Sequence, residues 1–305
     1  MQNVLVTGAN SGIGRATAIE LAGAGHRVYA AMRDTKKAEK LLHRASEAGC
    51  EVEPIVLDVT DDASVRGAVS KILRDAGGVD ILVNNAGIAY NATTEDIDIE
   101  VGKQVLETNY WGVVRCVQAV LPRMRERRSG HIVNVSSIAG RIAALAQTAY
   151  ASSKWALECL SENLVQEVAP FGIRVTVIEP GIARTAILPK NVACPEPTAY
   201  EDAYRRMLQF YQKGIEANVP AEEVAATIRF ALSDPERRFR YTCALHMRLG
   251  RRRAGRGPQT DDGPGLDRAG KIEERRGVLH PLPAPLRPGS ATGRLISFQL
   301  LHESP

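Results

Sequence analysis

Asn3-Val4-Leu5-Val6-Thr7-Gly8-Ala9-Asn10-Ser11-Gly12-Ile13-Gly14 is the stretch that decides the fold. Val4-Leu5-Val6 is an unbroken apolar run, which suits a parallel strand covered on both faces. It passes directly into a turn with glycines at 8, 12 and 14, and then into a helical stretch near 12–25. Glycines at such a turn let the backbone bend tightly and approach a pyrophosphate seated on the helix N-terminal amides. The same turn can also be purely structural, so its reading depends on the rest of the chain.

Beyond the turn the chain alternates regularly. Strand-like runs fall near 3–7, 27–32, 52–57, 79–84, 131–136, 173–178 and 239–245, with helical stretches near 12–25, 36–48, 62–76, 100–128, 149–169, 199–213 and 221–232. Ile81-Leu82-Val83 and Val175-Thr176-Val177-Ile178 repeat the doubly covered pattern of the first strand. The β-α alternation predicts an α/β fold with a doubly wound parallel sheet of Rossmann type and ligand sites at the carboxyl ends of the strands. The rhythm breaks twice. Residues 183–215 open on a proline-rich, aperiodic run and are read as a substrate lid. Residues 246–305 are rich in Gly, Pro and Arg and lack apolar periodicity, so they are read as a disordered tail outside a single domain over 1–245. That tail is compatible with a flexible extension, a basic contact segment or translation in a shifted reading frame. The last is favoured because the change is abrupt and falls where a final strand and helix should be completed.

The 305 residues are 44% hydrophobic and carry a net charge of +4. The tail holds 11 Lys and Arg against 6 Asp and Glu, whereas 1–245 hold 28 against 29. The folded part is therefore nearly neutral, which argues against nucleic acid as its partner. No apolar run reaches the length of about 18 residues that spans a bilayer. The first residues read as a strand and not as a secretory signal. Five scattered cysteines (Cys50, Cys116, Cys159, Cys194 and Cys243) without metal-ligand spacing fit reduced thiols in a cytoplasmic protein with no metal site.

The chemistry is concentrated at Tyr150-Ala-Ser-Ser-Lys154. Four residues apart on a helix, Tyr150 and Lys154 share one face, and the ammonium there can favour the phenolate of a tyrosine whose free pKa is about 10. Such a phenol can serve as an acid or base near neutrality. Ser137 lies thirteen residues upstream and Asn109 further back. Asn84-Asn85-Ala86-Gly87 comes after the fourth strand, where small residues admit a ligand or asparagines tie loops together. Asp58 ends the third strand, either as a turn or cap residue or as a ligand contact.

Together these features resemble the short-chain dehydrogenase/reductase superfamily. TGANSGIG, Asp58, NNAG, Asn109, Ser137, Tyr150-xxx-Lys154 and Pro180-Gly181-xxx-Thr185 occur in the family's order over about residues 2–245. The resemblance implies an enzyme with a nicotinamide cofactor. Tyr150 is then the general acid in carbonyl reduction and the general base in alcohol oxidation. Lys154 lowers the Tyr150 pKa and holds the nicotinamide ribose, Ser137 holds the substrate oxygen, and Asn109 anchors a water that links Lys154 to solvent. The cofactor contacts implied are Gly8, Asn10, Ser11, Gly12, Ile13 and Gly14 at the turn, and Asp58 and Val59 at the adenine. Asn85, Ala86 and Gly87 fall on the adenosine side, Tyr150 and Lys154 at the ribose, and Pro180, Gly181, Ile182 and Thr185 at the nicotinamide.

NAD-preferring members of this family carry an acidic residue where Met32 stands. Met32 cannot grip the ribose hydroxyls, and the adjacent Arg33 can bind a 2′-phosphate, so NADP(H) is favoured over NAD(H). Arg33 can also pair with Asp34, and Ser11 occupies the place of a second basic residue found in some NADP-dependent relatives. The segments VYAAMRD and EEVAATIRFAL and the pair Arg240-Tyr241 resemble members that act on steroids, retinoids or other lipophilic carbonyls. Ile187, Leu188, Val192 and Tyr204 would line the lid or pack it onto the body. Helices 100–128 and 149–169 are apolar over a wide arc (Val113, Val117 and Val120; Trp155, Leu160 and Leu164), and in the family the corresponding helices pair in homodimers or tetramers. Two other classes compete: a non-catalytic NADP(H)-binding regulator, and an epimerase or enoyl-type reductase on the same fold. Intact Asn109, Ser137, Tyr150 and Lys154 favour a ketone or aldehyde reductase and alcohol dehydrogenase over both.

Overall fold

Seven short segments of the chain form one parallel sheet. A computed structural model describes residues 1–185 and 199–244. The strands are β1 (Asn3–Thr7), β2 (Arg27–Met32), β3 (Glu53–Val56), β4 (Ile81–Asn84), β5 (Gly130–Val135), β6 (Ile173–Pro180) and β7 (Arg240–Cys243). Their order is β3-β2-β1-β4-β5-β6-β7, with every neighbouring pair parallel. The chain winds outward from β1 through β2 to β3, then crosses back to place β4 on the other side of β1. That reversal opens a crevice at the carboxyl ends of β1 and β4, where ligands bind in doubly wound sheets.

The apolar runs read from the sequence are the middle of this sheet. Val4, Leu5 and Val6 are fully buried, and β4 between them and β5 is buried along its length. One face is covered by α1 (Gly12–Gly23), α2 (Glu39–Glu47) and α8 (Ala221–Ser233), around Val4, Val6, Val28 and Ile228. The other is covered by α3 (Asp62–Ala76), α5 (Gly112–Arg127) and α6 (Thr148–Val168), around Leu5, Leu82, Val117 and Leu157. Each such side chain contributes about 1.5–3 kcal/mol on full burial, so the alternation of strands and helices carries most of the fold's stability.

Two predicted helices are divided. The stretch 36–48 begins as a 3₁₀ turn, Thr35–Ala38, because Asp34 caps it by accepting from the Lys36 amide; α2 comes next. The stretch 100–128 is α4 (Ile99–Leu106), a π-turn at Glu107–Trp111, and then α5. The widened turn carries Asn109, and π-bulges of this kind occur mostly at functional sites. α7 (Glu201–Glu216) forms the second half of the expected lid. Its middle, with Ile187, Leu188 and Val192, lies outside the described residues, as do Cys194, Leu245 and the tail 246–305. Cys50, Cys116, Cys159 and Cys243 are free thiols. Among the described residues no helix is long and apolar enough to cross a membrane, and no group of His, Cys, Asp and Glu could hold a metal ion.

Candidate active site

The crevice at the sheet reversal is held open by side chains that tie the ends of β1 and β4 together. The Thr7 hydroxyl accepts the amides of Asn85 and Ala86, both at 3.0 Å. The Asn85 amide group donates to the Thr7 carbonyl at 2.9 Å, while Asn84 donates to Asn134 of β5 at 2.9 Å. The asparagine side chains thus tie loops together, and Asn85, Ala86 and Gly87 line the cavity that results. This cavity has a volume of about 650 Å³, within the range of cofactor sites.

Along its floor run Gly8, Asn10, Ser11, Gly12 and Ile13. Gly8 has φ +67, and a Cβ there would lie 2.9 Å from the Ala86 Cα, so the turn needs glycine for conformation and for closeness. Gly14 sits behind this floor, packed on the Gly8 carbonyl. Pro180, Gly181, Ile182 and Thr185, at the end of β6, line the opposite side, with Thr185 packed over Gly12.

At one end are Arg33, Asp58 and Val59. Arg33 is exposed and makes no ion pair among the described residues. Asp34, its expected alternative partner, instead accepts from the Lys36 amide and lies 3.9 Å from Lys37. Asp58 accepts from the Thr60 amide at 3.0 Å and the Thr60 hydroxyl at 2.8 Å, so it is a turn residue that also borders the cavity; the cap of α3 is Asp61.

At the other end are Ser137, Tyr150 and Lys154. α6 carries Tyr150 and Lys154 one turn apart, both facing the cavity. Ser137, just beyond β5, accepts from the Ala139 amide at 3.1 Å and lines the cavity with Tyr150. Lys154 donates to the Val135 carbonyl at 2.9 Å, with its ammonium 5.8 Å from the centre of the Tyr150 ring. The expected depression of the Tyr150 phenol by Lys154 does not appear. Burial pushes the phenol above its ordinary value, and Ser137 opposes that. Burial also pulls the Lys154 ammonium down to about 8, against an upward pull from Glu158. The cause is common to both: each neutral form is favoured when its charged form loses water.

Asn109 stands behind this wall. It accepts from the Ile88 amide and donates to the Ile88 carbonyl, each at 2.9 Å. It also donates to Ser153 at 2.9 Å, and Ser153 in turn donates to the Tyr150 carbonyl at 2.7 Å. Its side chain thus joins the loop after β4 to the helix that carries Tyr150.

Among the lining residues that the sequence reading did not name are Lys37, Gln147 and Tyr211. Lys37, in the turn Thr35–Ala38 just after Arg33, lines the same cavity, and its closeness in sequence to Arg33 could have exposed it. Gln147 and Tyr211 border the cavity near Tyr150. Tyr211 accepts from Gln147 at 2.5 Å and donates to Asn91 at 3.1 Å, and burial pushes its phenol up to about 12. It lies two helical turns beyond Tyr204, whose hydroxyl donates to Asp96 at 2.8 Å and accepts from the Thr93 amide at 3.0 Å. Tyr204 therefore packs α7 onto the body rather than lining the pocket.

The floor fits a dinucleotide. α1 starts with Ser11 making no side-chain cap and with no acid in its first turn, whereas α3 and α4 are capped by Asp61 and Asp98. Its first amides are left for an anion at the cavity wall, where helix dipole and N–H donors both favour a phosphate. Comparison with known proteins agrees. A family model described as short chain dehydrogenase matches residues 2–194. The chain is 37% identical to the uncharacterized oxidoreductase YusZ of Bacillus subtilis over 80% of its own length and 90% of the relative's. It is 38% identical to the 3-ketodihydrosphingosine reductase of Bacteroides thetaiotaomicron, over 70% of this chain and 76% of that one. The crystal structure of a short-chain dehydrogenase from Streptomyces avermitilis superposes with a TM-score of 0.71 at 36% identity, covering 79% of this chain and 88% of that one. The chain belongs to the short-chain dehydrogenase/reductase family, whose members are oxidoreductases that bind a nicotinamide cofactor.

Proposed function

We propose that the protein is an NADP(H)-dependent oxidoreductase that interconverts a ketone or aldehyde and an alcohol on a lipophilic substrate. The observation that carries this reading is Tyr150 in the cavity wall together with Ser137, with Lys154 one turn along the same helix. The nicotinamide supplies the hydride. Tyr150 gives the substrate oxygen its proton in reduction and takes it back in oxidation. Ser137 fixes that oxygen, Lys154 steadies the phenolate and holds the ribose, and Asn109 orients the helix and the loop that meet there. The Gly8–Gly14 turn with the first amides of α1 holds the pyrophosphate. Asp58, Val59 and the segment 85–87 take the adenosine side, and Pro180 to Thr185 close over the nicotinamide.

Arg33 supports NADP(H): a guanidinium without an ion pair among the described residues, in a cavity that Lys37 also lines and with neutral Met32 before it, suits a 2′-phosphate. Ile88, Ile142, Ala144 and Phe210 line the cavity toward Tyr150, which suits an apolar substrate body. The 3-ketodihydrosphingosine reductase among the relatives is in keeping with a long-chain carbonyl. We further read residues 1–245 as the catalytic domain of a cytoplasmic homo-oligomer. Val113, Val117, Val120 and Leu164 face the core, whereas Trp111 and Trp155 are half exposed and mark the contact face.

The test is NADPH consumption over a panel of ketones, aldehydes, steroids and retinoids, with Tyr150→Phe alongside. Turnover that Tyr150→Phe reduces by at least about a hundredfold, the low end of acid–base contributions, is expected. Turnover that survives the substitution refutes the mechanism.

A further inference from the structure

The end of the cavity that holds Ser137 and Tyr150 has an apolar lining, with Ile142, Ala144 and Phe210, and a polar pair that the reaction above does not use, Gln147 and Tyr211. Gln147 directly precedes α6, three residues before Tyr150. Its backbone is fixed from two sides. The carbonyl accepts the Ala151 amide at 2.7 Å, which opens the helix, and the residue pairs with Ala92 of the loop after β4.

The side chain is constrained as closely. Gln147 is 4% exposed, and its Nε2 donates to the Tyr211 hydroxyl at 2.5 Å. That hydroxyl gives its own hydrogen to the Oδ1 of Asn91, itself 2% exposed, at 3.1 Å. A phenol has one hydrogen to donate, so with that hydrogen engaged the amide can present only its N–H to Tyr211. The Gln147 Oε1 is left over. Among the described residues nothing donates to it, yet it is not one of the polar atoms sealed away from all space. Its opening is to the cavity that Gln147 lines. An acceptor on a side chain this deeply buried costs free energy until a donor meets it.

We propose that Gln147 is a specificity-determining residue whose Oε1 accepts a hydrogen bond from a hydroxyl or amino group of the substrate, close to the reacting carbonyl. The inference rests on Tyr150 being the group that exchanges a proton with that carbonyl. Helical positions three apart have Cβ atoms about 5–6 Å apart, so the donor falls within a few bonds of the carbonyl carbon. Hydroxy- and aminoketones are then favoured over plain ketones of the same chain. One polar contact in an apolar wall fixes how such a chain enters, and an analogue without the donor is rejected because it leaves the buried acceptor unmet.

Three ketones of one chain length test this with NADPH: a long-chain methyl ketone, the corresponding hydroxymethyl ketone and its methoxymethyl ether. The ether draws electrons from the carbonyl much as the hydroxyl does but has no hydrogen to donate. In the native protein kcat/KM for the hydroxymethyl ketone is expected to exceed that for the ether about tenfold, the upper end for one neutral hydrogen bond. In Gln147→Met, of similar volume and without the acceptor, the ratio is expected to fall to about one. A merely structural role for Gln147 would lower turnover of all three ketones and leave the ratio in place. A native ratio near unity, or one that Gln147→Met leaves unchanged, overturns the proposal. A preference for the ether does so as well, since it would mean that the amide offers its N–H to the substrate. If Gln147→Met does not fold, the native ratio alone decides. Turnover of the plain ketone that survives Tyr150→Phe refutes the mechanism, whereas turnover that depends on Tyr150 but shows no preference for the hydroxyl refutes only the part given to Gln147. No turnover of any of the three removes both.

Discussion

Gly14→Ala and Gly67→Ala are the same chemical change on two helices and should act in opposite directions. In α1 a Cβ at position 14 would lie 2.4 Å from the Gly8 carbonyl oxygen and 2.4 Å from the Asn85 amide nitrogen. Carbon does not approach closer than about 3.0 Å, so something must move by roughly 0.6 Å or more. The Gly8 backbone cannot yield freely, because it is itself packed on Ala86. Asn85 can yield only by releasing its 2.9 Å bond to the Thr7 carbonyl. Overpacking costs about 1–3 kcal/mol and a lost buried hydrogen bond about 1, while alanine returns about 1 through helix propensity. The net is a loss of about 2 kcal/mol, or a melting temperature lower by about 4–8 °C for a domain of this size. NADPH affinity should fall with it, since the α1 amides move off their axis. At Gly67 on α3 a Cβ meets nothing within 4 Å, so only the propensity gain remains and the melting temperature should rise by about 2–4 °C. Differential scanning fluorimetry with and without NADPH checks both. A Gly14→Ala protein that melts with the native one and binds NADPH equally would refute the cradle.

Arg33→Ala should weaken NADPH binding about tenfold, the low end for a charge-assisted hydrogen bond at an exposed site, and leave NADH nearly unchanged; equal effects in fluorescence titrations would remove the NADP(H) assignment. His131 is buried on β5, with Nε2 2.8 Å from the Thr176 hydroxyl, and burial pulls its imidazole down to about 3. The unfolded chain therefore binds the proton first. This contribution to stability is intact above about pH 6.5 and lost progressively toward pH 3, by about 2 kcal/mol at pH 5. Urea melts at pH 7 and pH 5 should show that loss in the native protein and not in His131→Gln; parallel loss in both would exclude His131 as its source. Trp155, 51% exposed on α6, should anchor the contact between copies, so Trp155→Glu is expected to shift sedimentation from oligomer to monomer.

The strands were legible because a parallel sheet covered on both faces demands unbroken apolar runs, and Val4-Leu5-Val6 or Ile81-Leu82-Val83 have no other use. The same logic located the helices to within a few residues but not their interruptions. Nothing in Glu107-Thr-Asn-Tyr-Trp111 signals a π-turn, because the widened turn is imposed by Asn109 bonding both backbone groups of Ile88. Tyr150, Lys154 and Ser137 were visible because their spacing is local or nearly so. Lys37, Gln147 and Tyr211 were not, because they reach the cavity from three separate elements and each has an ordinary surface reading. The expected electrostatics failed for a related reason: helical spacing brings an ammonium near a phenol, but the spacing carries no information about how much water both have lost.

That loss of water bears on the chemistry more than any single contact. Burial moves the two groups in opposite senses, the Tyr150 phenol up and the Lys154 ammonium down to about 8. Below about pH 8 the pair therefore rests as a neutral phenol beside a charged ammonium. On the proposed roles this is the state ready to donate a proton, because the phenolate that forms as the proton leaves is met by a charge already in place. Alcohol oxidation must start from the other side, with a phenolate that the buried site disfavours, and so gains from rising pH only until Lys154 gives up its own proton. On those roles one desolvation favours reduction near neutrality and works against the phenolate from which oxidation starts.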